Sequence, residues 1–400
     1  MNVLGINAVF HDSSAAIVVN GSTIAAAEEE RFNRRKHGKD CVPFSAWELP
    51  VHSAAWCIAQ AAITAKNVDS VAYSYDPSLA PQVNGDVTGD HWEGLRTLYA
   101  SRMPLFMRSA LPGIEHAETV FVPHHVAHAA SAYLAAPFGD CAVLVFDGRG
   151  ERSSYLAGKV RSGKLSVIAS NLLPHSLGLL YEELTVHLGF HRSSDEYKVM
   201  GLAGYGKPRF LDAFRECVRV TDGVFETDAV EFSKFAPRRD AESETFEPEH
   251  ADLAASVQAR LEEVILELAR WVHAQTGDKY LTMAGGVALN CVANARLARE
   301  GPFESIWVQP AAGDAGTSLG AALFVARQKG DAVLPMETAA LGREFSDEDV
   351  EHALRRAHLE FERPADIAGE VARIIASDGV VAWFQGRSEY GPRALGHRSL

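Results

Sequence analysis

The chain has 400 residues, of which 47% are hydrophobic and 22% are charged. This is an ordinary globular composition, and the chain is long enough for two or three compact units. The 52 acidic residues outnumber the 38 basic ones and give a formal net charge of −14, which argues against a long nucleic-acid or anionic-membrane surface but leaves room for a local basic pocket for phosphates.

The sequence also bears on where the protein is located. The N-terminal residues lack the basic and apolar regions of a signal peptide, and no segment approaches 18 uninterrupted apolar residues, so we predict a cytoplasmic protein without a membrane span. The cysteines form no C-x-x-C pair, which favours packing thiols over a disulfide framework or a thiolate zinc site. They are Cys41, Cys57, Cys141, Cys217 and Cys291.

The first predicted elements are three strands, at residues 3–9, 15–19 and 23–27, followed by a helix at 50–66. Asn20 and Gly21 stand between the second and third strands, and this dipeptide favours a tight hairpin because both residues tolerate positive φ. The first two strands are joined by a polar loop that contains His11 and Asp12.

The same plan recurs further along the chain. An apolar strand at 141–146 leads into the charged, glycine-rich loop 147–151, and strands at 153–158 and 165–169 flank a turn at 161–164. This is a duplication of pattern more than of identity, and it predicts two related sub-domains that face each other.

The remaining predicted elements alternate helices with strands, which indicates an α/β fold. The polar stretch 239–250 is predicted to be an exposed loop, and a boundary is predicted at 337–347. The predicted units are residues 1–140, residues 141–340, a linker at 341–364 and a further unit at 365–400. The other elements are helices at 253–275, 315–328 and 366–377, a strand–loop–helix unit at 280–298 and a strand at 380–384.

A histidine cluster, HHVAH, is the first candidate site. His124 and His128 are four residues apart, so on a helix both imidazoles can reach one ion, whereas His125 is expected to point elsewhere. A helix start with satisfied, partly buried histidines is the alternative. Two other loops favour the metal, because Asp147 and Asp314 stand beside glycines at strand ends. Two histidines with two carboxylates suit iron, manganese or zinc.

Three glycine-rich loops are candidates for holding a nucleotide phosphate. Each could bring backbone N–H groups close to an anion at a helix N-terminus, although a glycine pair at a strand–helix turn often only satisfies geometry. The predicted nucleotide-binding residues are Gly148, Gly150, Lys198, Gly285, Gly286, Asn290 and Gly316.

Charged motifs near the two ends of the chain are the last candidate sites. His11 could act as a general base, since an imidazole titrates near working pH, although a serine or aspartate turn would also explain the segment around Asp12. Residues 28–37 are interpreted by default as a solvated charged face. The motif GRSEYGPRALGHRS carries three arginines suited to phosphate or carboxylate, Arg387, Arg393 and Arg398.

In order along the chain, these motifs resemble the large O-carbamoyltransferases of antibiotic biosynthesis and nodulation-factor decoration. The resemblance covers essentially all 400 residues. The motifs are GINAVFHDSSAAIVVNG, AEEERFNRRKHG, HHVAHAASAY, FDGRGE, SLGLLYEELTVHLGF, KVMGLAGYG, GGVALN, GDAGTSLGAAL and GRSEYGPRALGHRSL.

The resemblance implies a duplicated actin and sugar-kinase-like fold, similar to the tRNA threonylcarbamoyl-transfer enzymes, followed by the start of a YrdC-like domain. It implies that carbamoyl phosphate and ATP, with Mg2+, give carbamoyl adenylate, and that a divalent metal then assists transfer to a hydroxyl group. Fe2+ is the implied metal, with Mn2+ or Zn2+ as alternatives. The implied metal ligands are His124, His128, Asp147 and Asp314.

The same resemblance places His11, with Asp12, at the catalytic position and the three C-terminal arginines at a carbamoyl phosphate site. Because the family continues well past Leu400, we expect the adenylate-forming domain to be incomplete in this chain. The expected partners are ATP, carbamoyl phosphate and a small hydroxyl acceptor whose identity the sequence does not reveal, with a possible homodimer. The alternatives are a sugar-kinase-like phosphotransferase and a regulatory module that only binds nucleotide.

Overall fold

The computed structural model describes residues 1–38, 49–81 and 91–400, and it excludes the side chains of residues 38, 91 and 92. Cys41 lies outside the described residues. Every helix in the described ranges is too short or too polar to cross a lipid bilayer.

The first sheet is built around the N-terminal strand. Its five strands are β1 (Asn2–Asn7), β2 (Ser14–Val19), β3 (Ser22–Glu28), β4 (Ser70–Tyr73) and β5 (Glu118–Phe121). They lie in the order β3-β2-β1-β4-β5. β1 pairs antiparallel with β2 and parallel with β4, and β4 pairs parallel with β5.

The second sheet repeats this topology. Its strands are β6 (Cys141–Phe146), β7 (Ser153–Arg161), β8 (Lys164–Leu172), β11 (Tyr280–Ala284) and β12 (Ser305–Val308). The order β12-β11-β6-β7-β8 and the strand directions match those of the first sheet when β6 is aligned with β1. The predicted duplication and the two-lobed α/β fold are therefore confirmed.

Both predicted hairpins have the backbone that a tight turn requires. Asn20 and Gly21 have φ angles of 50° and 81°, and Ser162 and Gly163 have φ angles of 51° and 73°. Positive φ at both central residues matches the turn to the twist of the flanking strands.

Helices fill the remaining layers. They are α1 (Glu30–Asn33), α2 (Val51–Gln60), α3 (His91–Ala110), α4 (His124–Tyr133), α5 (Leu177–His187), α6 (Glu196–Ala203), α7 (Leu211–Cys217), α8 (Pro248–Thr276), α9 (Cys291–Glu300), α10 (Ala315–Gln328), α11 (Asp347–Arg356) and α12 (Ile367–Ala376). Two short hairpins complete the described strands, β9 (Val218–Thr221) with β10 (Val224–Thr227), and β13 (Trp383–Phe384) with β14 (Arg398–Ser399).

Helices α4 and α10 lie between the two sheets. α10 packs on β1 and β2, α4 packs on β6 and β11, and the two helices contact each other along their length. One apolar core therefore joins both sheets, with Val3 from the first, Val143 from the second and Leu319 from α10. Each half of the sequence supplies a helix that covers the sheet of the other half.

Some predicted boundaries were wrong. The predicted helix at 50–66 ends at Gln60, and a short 3-10 turn follows at Ala65–Asn67. The predicted strand at 380–384 is limited to Trp383–Phe384. The predicted exposed loop at 239–250 ends early, because Pro248 begins α8 and His250 is buried where its imidazole accepts from the Glu247 N–H.

The close approach of α4 and α10 gives a stability prediction. A Cβ at Gly320 would lie 1.8 Å from the Ala127 carbonyl oxygen, so Gly320→Ala must separate the helices. A Cβ at Gly201 on α6 would have no such neighbour within 4 Å among the described residues. We expect Gly320→Ala to lower the free energy of unfolding by about 1–3 kcal/mol.

The matched variant Gly201→Ala should raise that free energy by roughly 0.5–1 kcal/mol, because glycine is unfavourable inside a helix. Urea denaturation followed by circular dichroism measures both changes. Equal effects of the two substitutions would contradict the tight contact between α4 and α10.

Candidate metal centre

Four buried side chains converge where the two halves of the fold meet. His124, His128, Asp147 and Asp314 each offer one ligand atom, and these four atoms all lie within 4.8 Å of one another. His124 Nε2 lies 3.5 Å from Asp147 Oδ2 and 3.6 Å from Asp314 Oδ1. His128 Nε2 lies 3.9 Å and 3.5 Å from the same two oxygens.

Three elements position these ligands. His124 and His128 lie one helical turn apart on α4, as the spacing predicts. Asp147 follows directly after the central strand β6, and Asp314 immediately precedes α10. Because α4 and α10 are packed together between the sheets, their N-terminal ends meet at the end of β6.

The N-terminus of α4 is held by a side chain that the sequence analysis did not single out. Glu151 Oε1 accepts hydrogen bonds from the His124 N–H at 2.9 Å and from the Asp76 N–H at 2.8 Å. A carboxylate at a helix N-terminus satisfies an unpaired donor and complements the helix dipole. The motif FDGRGE contained this residue, but its distance of 27 positions from His124 hid the contact.

Hydrogen bonds orient two of the ligands toward the centre. His124 Nδ1 lies 3.1 Å from the Ser74 carbonyl oxygen, which can only accept, so Nδ1 carries a proton and Nε2 is the ring atom left to face the centre. Asp147 Oδ1 accepts from the Gly286 N–H at 3.0 Å. The other oxygen, Oδ2, is the one that faces the imidazoles.

Several atoms at the centre have no hydrogen-bond partner in the described part of the chain. They include both oxygens of Asp314 and the Nε2 atoms of His124 and His128. An aspartate that precedes a helix commonly accepts from the N–H groups of the first turn, yet the Asp314 side chain makes no such bond. Unpaired buried polar atoms are costly, and a cation bound between them would satisfy them, so these residues fit a divalent metal.

The electrostatics of the four groups also favour a cation. Burial raises the pKa of Asp147, but His124, His125 and His128 outweigh it and hold that pKa well below its usual range. Burial disfavours a charged His124, but Asp314 and Asp147 outweigh it and raise its pKa well above the usual range. At His128 burial dominates and lowers the pKa. Two buried carboxylates thus face the imidazole nitrogens, and a cation bound between them would compensate the carboxylate charge.

His125 lies outside the set of four candidate ligands, as expected, but its ring contacts one of them. Its Nε2 lies 3.7 Å from Asp147 Oδ2, and its Nδ1 lies 2.6 Å from Ser153 Oγ. The side chains of successive helical residues point in different directions. Asp147 lies at the N-terminal end of α4, however, and there the rings of His124 and His125 both reach its carboxylate.

His11 and Asp12 lie beside this centre. His11 Nε2 is 3.7 Å from Asp314 Oδ2, and His11 Nδ1 is 2.9 Å from Asp12 Oδ2. The Asn7 side chain holds the loop by donating to the carbonyl oxygens of both residues, at 2.9 Å and 3.0 Å. The structure therefore brings these two predicted residues together with the four candidate ligands.

Several of the predicted nucleotide-binding glycines make hydrogen bonds or close backbone contacts within the protein. The Gly285 N–H donates to Ala312 O at 2.8 Å, and the Gly286 N–H is the donor to Asp147. A Cβ at Gly285 would lie 2.1 Å from Phe146 O, and a Cβ at Gly316 would lie 1.9 Å from Ala311 O. Close backbone approach accounts for these two glycines.

The other predicted nucleotide-binding residues differ in their surroundings. The Gly148 carbonyl accepts from Ser176 Oγ at 2.7 Å, and the Gly150 N–H donates to Ser153 O at 2.7 Å. Asn290 begins α9 by accepting from the Ala293 N–H at 3.0 Å.

Lys198 lies on α6, where it forms an ion pair with Asp195 at 3.0 Å and is partly exposed.

The C-terminal arginines have different partners. Arg387 donates to the backbone carbonyls of Ile24, Leu341 and Gly342, which fastens the C-terminal segment to the first lobe. Arg398 donates to Gly391 O and lies 3.4 Å from Glu389 Oε2, whereas Arg393 is partly exposed.

The same motif contains a residue that sequence reasoning missed. Tyr390 is buried, donates to Ala315 O and lies 2.9 Å from Ser318 Oγ. It thus packs against the start of α10, next to the candidate ligand Asp314.

Two carboxylates of the second lobe were also missed. Glu196, at the start of α6, lies near enough to His11 for their charges to interact. Burial raises the pKa of Glu196, and the neighbouring charge of Glu182 raises it further. Ser193 donates to both, from its N–H to Glu196 and from its hydroxyl to Glu182, each at 2.6 Å.

Comparison with solved structures gives matches of low overall similarity. HypF from T. kodakarensis matches with a TM-score of 0.44 and 16% identity, over 83% of this chain and 50% of that chain. A ROK hexokinase from Thermus thermophilus matches with a TM-score of 0.38 and 16% identity, over 82% of this chain and all of that chain. The repeated strand order, rather than these superpositions, carries the fold assignment.

Sequence comparison gives stronger matches. Nodulation protein NolNO from Sinorhizobium fredii is 35% identical over 98% of this chain and 58% of its own length. A Synechocystis protein is 38% identical over all of this chain and 70% of its own length. A 3'-hydroxymethylcephem-O-carbamoyltransferase from Streptomyces clavuligerus is 34% identical over 53% of this chain and 40% of its own length.

Two family models match the chain. The carbamoyltransferase N-terminus matches residues 2–323, and the carbamoyltransferase C-terminus matches residues 372–400. The first match spans both sheets and all four candidate metal ligands. The chain belongs to the carbamoyltransferase family.

Proposed function

We propose that this site transfers a carbamoyl group to a hydroxyl group of a small natural product. The observation that supports this most directly is the set of unpartnered imidazole and carboxylate atoms beside His11, in a chain of the carbamoyltransferase family. The name of the Streptomyces clavuligerus relative gives that protein a hydroxymethyl acceptor and O-carbamoyl transfer.

The proposed donor is carbamoyl adenylate, made from carbamoyl phosphate and ATP with Mg2+. The N-termini of α9 and α10 suit an adenylate phosphate, because helix N-termini attract anions. In the C-terminal segment, Arg393 is the predicted arginine whose side chain no other described residue engages by an ion pair or hydrogen bond, and we assign it to carbamoyl phosphate.

His124, His128, Asp147 and Asp314 would hold a divalent ion, with Fe2+ proposed first and Mn2+ or Zn2+ as alternatives. Bound there, the ion would act as a Lewis acid that neutralises phosphate charge or polarises the carbamoyl oxygen. Nitrogen and oxygen donors in equal number suit these borderline to hard divalent ions.

His11 is the proposed proton acceptor. Asp12 carries two neighbouring imidazole donors and, although burial raises its pKa, His11 and His37 hold that pKa well below the usual range, so Asp12 is ionised and accepts from His11 Nδ1. In the neutral imidazole that this proposal requires, the lone pair of His11 is then on Nε2, which lies 3.7 Å from Asp314 Oδ2. As the acceptor oxygen bonds to the carbamoyl carbon and the bond to the AMP oxygen breaks, Nε2 takes the hydroxyl proton.

Metal analysis tests the centre. We expect the purified protein to bind about one divalent ion per chain when loaded anaerobically with Fe2+, and His128→Ala and Asp314→Asn to weaken that binding. Each substitution should lower the metal affinity by more than the roughly 10–100-fold typical of mutating a residue that only hydrogen-bonds to a ligand. Elemental analysis and competition with a chelator measure it.

The exposed His116 provides the matched control, since His116→Ala should bind metal like the unaltered protein. Failure of the unaltered protein to retain Fe2+, Mn2+ or Zn2+ would contradict the proposed metal centre.

An activity assay tests the transfer. Supplied with carbamoyl adenylate and a panel of alcohols, the protein should form a product heavier by one carbamoyl group, detected by mass spectrometry. His11→Asn should lower kcat by about 100- to 10,000-fold, the range for a lost general base. His352→Ala, an exposed change on α11, should leave kcat unchanged.

A parallel assay with ATP and carbamoyl phosphate separates adenylate synthesis from transfer. AMP together with pyrophosphate would mark adenylate synthesis, whereas transfer from supplied carbamoyl adenylate without these products would mark the transfer step alone. A phosphorylated alcohol together with ADP would instead support a sugar-kinase-like phosphotransferase.

A further inference from the structure

We propose that His37 is a positioning residue that holds the carboxylate of Asp12 and, through it, fixes the ring of His11. Its effect on turnover rests on the proposed function, whereas its effect on the His11 ring can be measured without any reaction. The sequence alone assigned residues 28–37 to a solvated charged face, and nothing in that interpretation distinguished His37.

The geometry is a chain of two imidazoles bridged by one carboxylate. His37 Nδ1 lies 2.6 Å from Asp12 Oδ1, and His11 Nδ1 lies 2.9 Å from Asp12 Oδ2. An ionised carboxylate only accepts hydrogen bonds, so both imidazoles donate from Nδ1. Each oxygen of Asp12 is thereby assigned to one ring, and the carboxylate plane is fixed from both sides.

The backbone near His37 is held in place from two directions. The His37 N–H donates to Glu30 Oε2 at 3.0 Å, and the Asp12 N–H donates back to the His37 carbonyl oxygen at 3.4 Å. His37 and Asp12 have φ angles of 59° and 51°, in the left-handed region that ordinary residues rarely adopt. Such conformations persist where the surroundings over-determine them, as at functional sites.

A second metal site is the rival interpretation, because Asp12, Glu30 and His37 also offer ligand atoms within 4.8 Å of one another. Protein donors already occupy this cluster. Both Asp12 oxygens accept from imidazoles, Glu30 Oε2 accepts from the His37 N–H, and Glu30 Oε1 lies 3.2 Å from Arg31. Of this cluster, the ring atom His37 Nε2 lacks a hydrogen-bond partner among the described residues, whereas at the four-residue centre both Asp314 oxygens and the Nε2 atoms of His124 and His128 lack one. The hydrogen-bond chain therefore accounts for both carboxylates of the cluster without an ion.

The first test compares two substitutions at one position. In His37→Asn, the amide nitrogen stands at the position of Nδ1 and can still donate to Asp12, and asparagine tolerates positive φ. In His37→Leu, the bulk is similar but the donor is lost. We expect His37→Leu to lower kcat by roughly 10–100-fold, as for partners that orient active groups, with little change in KM, and His37→Asn to recover most of kcat.

The exposed neighbour Lys36 supplies the control, because Lys36→Ala should change neither parameter. Full kcat in His37→Leu, or a loss in His37→Asn as large as in His37→Leu, would overturn the proposal.

A double-mutant cycle asks whether His37 acts through Asp12. In an Asp12→Asn background, His37→Leu should change kcat by no more than about twofold, because the group that transmits its effect is already altered. Independent, multiplicative losses would mean that His37 acts by another route.

Nuclear magnetic resonance of protein labelled with 15N-histidine tests the inference apart from the reaction. The downfield Nδ1–H signals of the unaltered protein should include one from His11 and one from His37, each assigned by its loss when that histidine is substituted. His37→Leu should remove one and shift the ring signals of His11, with the fold verified by circular dichroism. Unmoved His11 signals in a folded variant would overturn the inference. A shift without any carbamoyl transfer would instead contradict only the proposed function.

Discussion

The structure depends on one electrostatic constraint, the burial of two carboxylates and two imidazoles in a single small volume. Asp147 and Asp314 are both almost fully buried, and neither has a lysine or arginine as an ion-pair partner among the described residues. Burial of such charges is costly unless they are paired. The fold accepts this cost where α4, α10 and the end of β6 meet, and that place is the candidate centre.

The duplicated fold explains why the ligands meet there. Each sheet has a central strand that pairs with a hairpin on one side and with parallel strands on the other. α4 precedes the second sheet in sequence yet packs on it, and α10 follows that sheet yet packs on the first. The missing Cβ of Gly320 lets the helices approach closely, and it thereby sets the separation of the imidazoles from Asp314.

Around this centre the two lobes contribute different chemistry. The first lobe supplies His11 with Asp12 and His37, a chain of donors onto one carboxylate. The second lobe supplies Glu196, on whose pKa the charge of His11 acts against the effect of burial. The C-terminal segment reaches the site through Tyr390, whose hydroxyl donates to Ala315 O beside Asp314. The proposed donor and acceptor would therefore meet at a junction of three chain segments.

By itself the sequence determined the features that depend on short stretches of chain. The four-residue spacing of His124 and His128, the Asn20–Gly21 turn and the repeated strand pattern all follow from local backbone geometry. The tertiary structure alone decided that His125 reaches Asp147, that Glu151 holds the start of α4 and that Arg387 fastens the C-terminal segment. The physical reason is that these contacts join donors and acceptors from distant parts of the chain, and packing of the helices and sheets, not local periodicity, sets which of them meet.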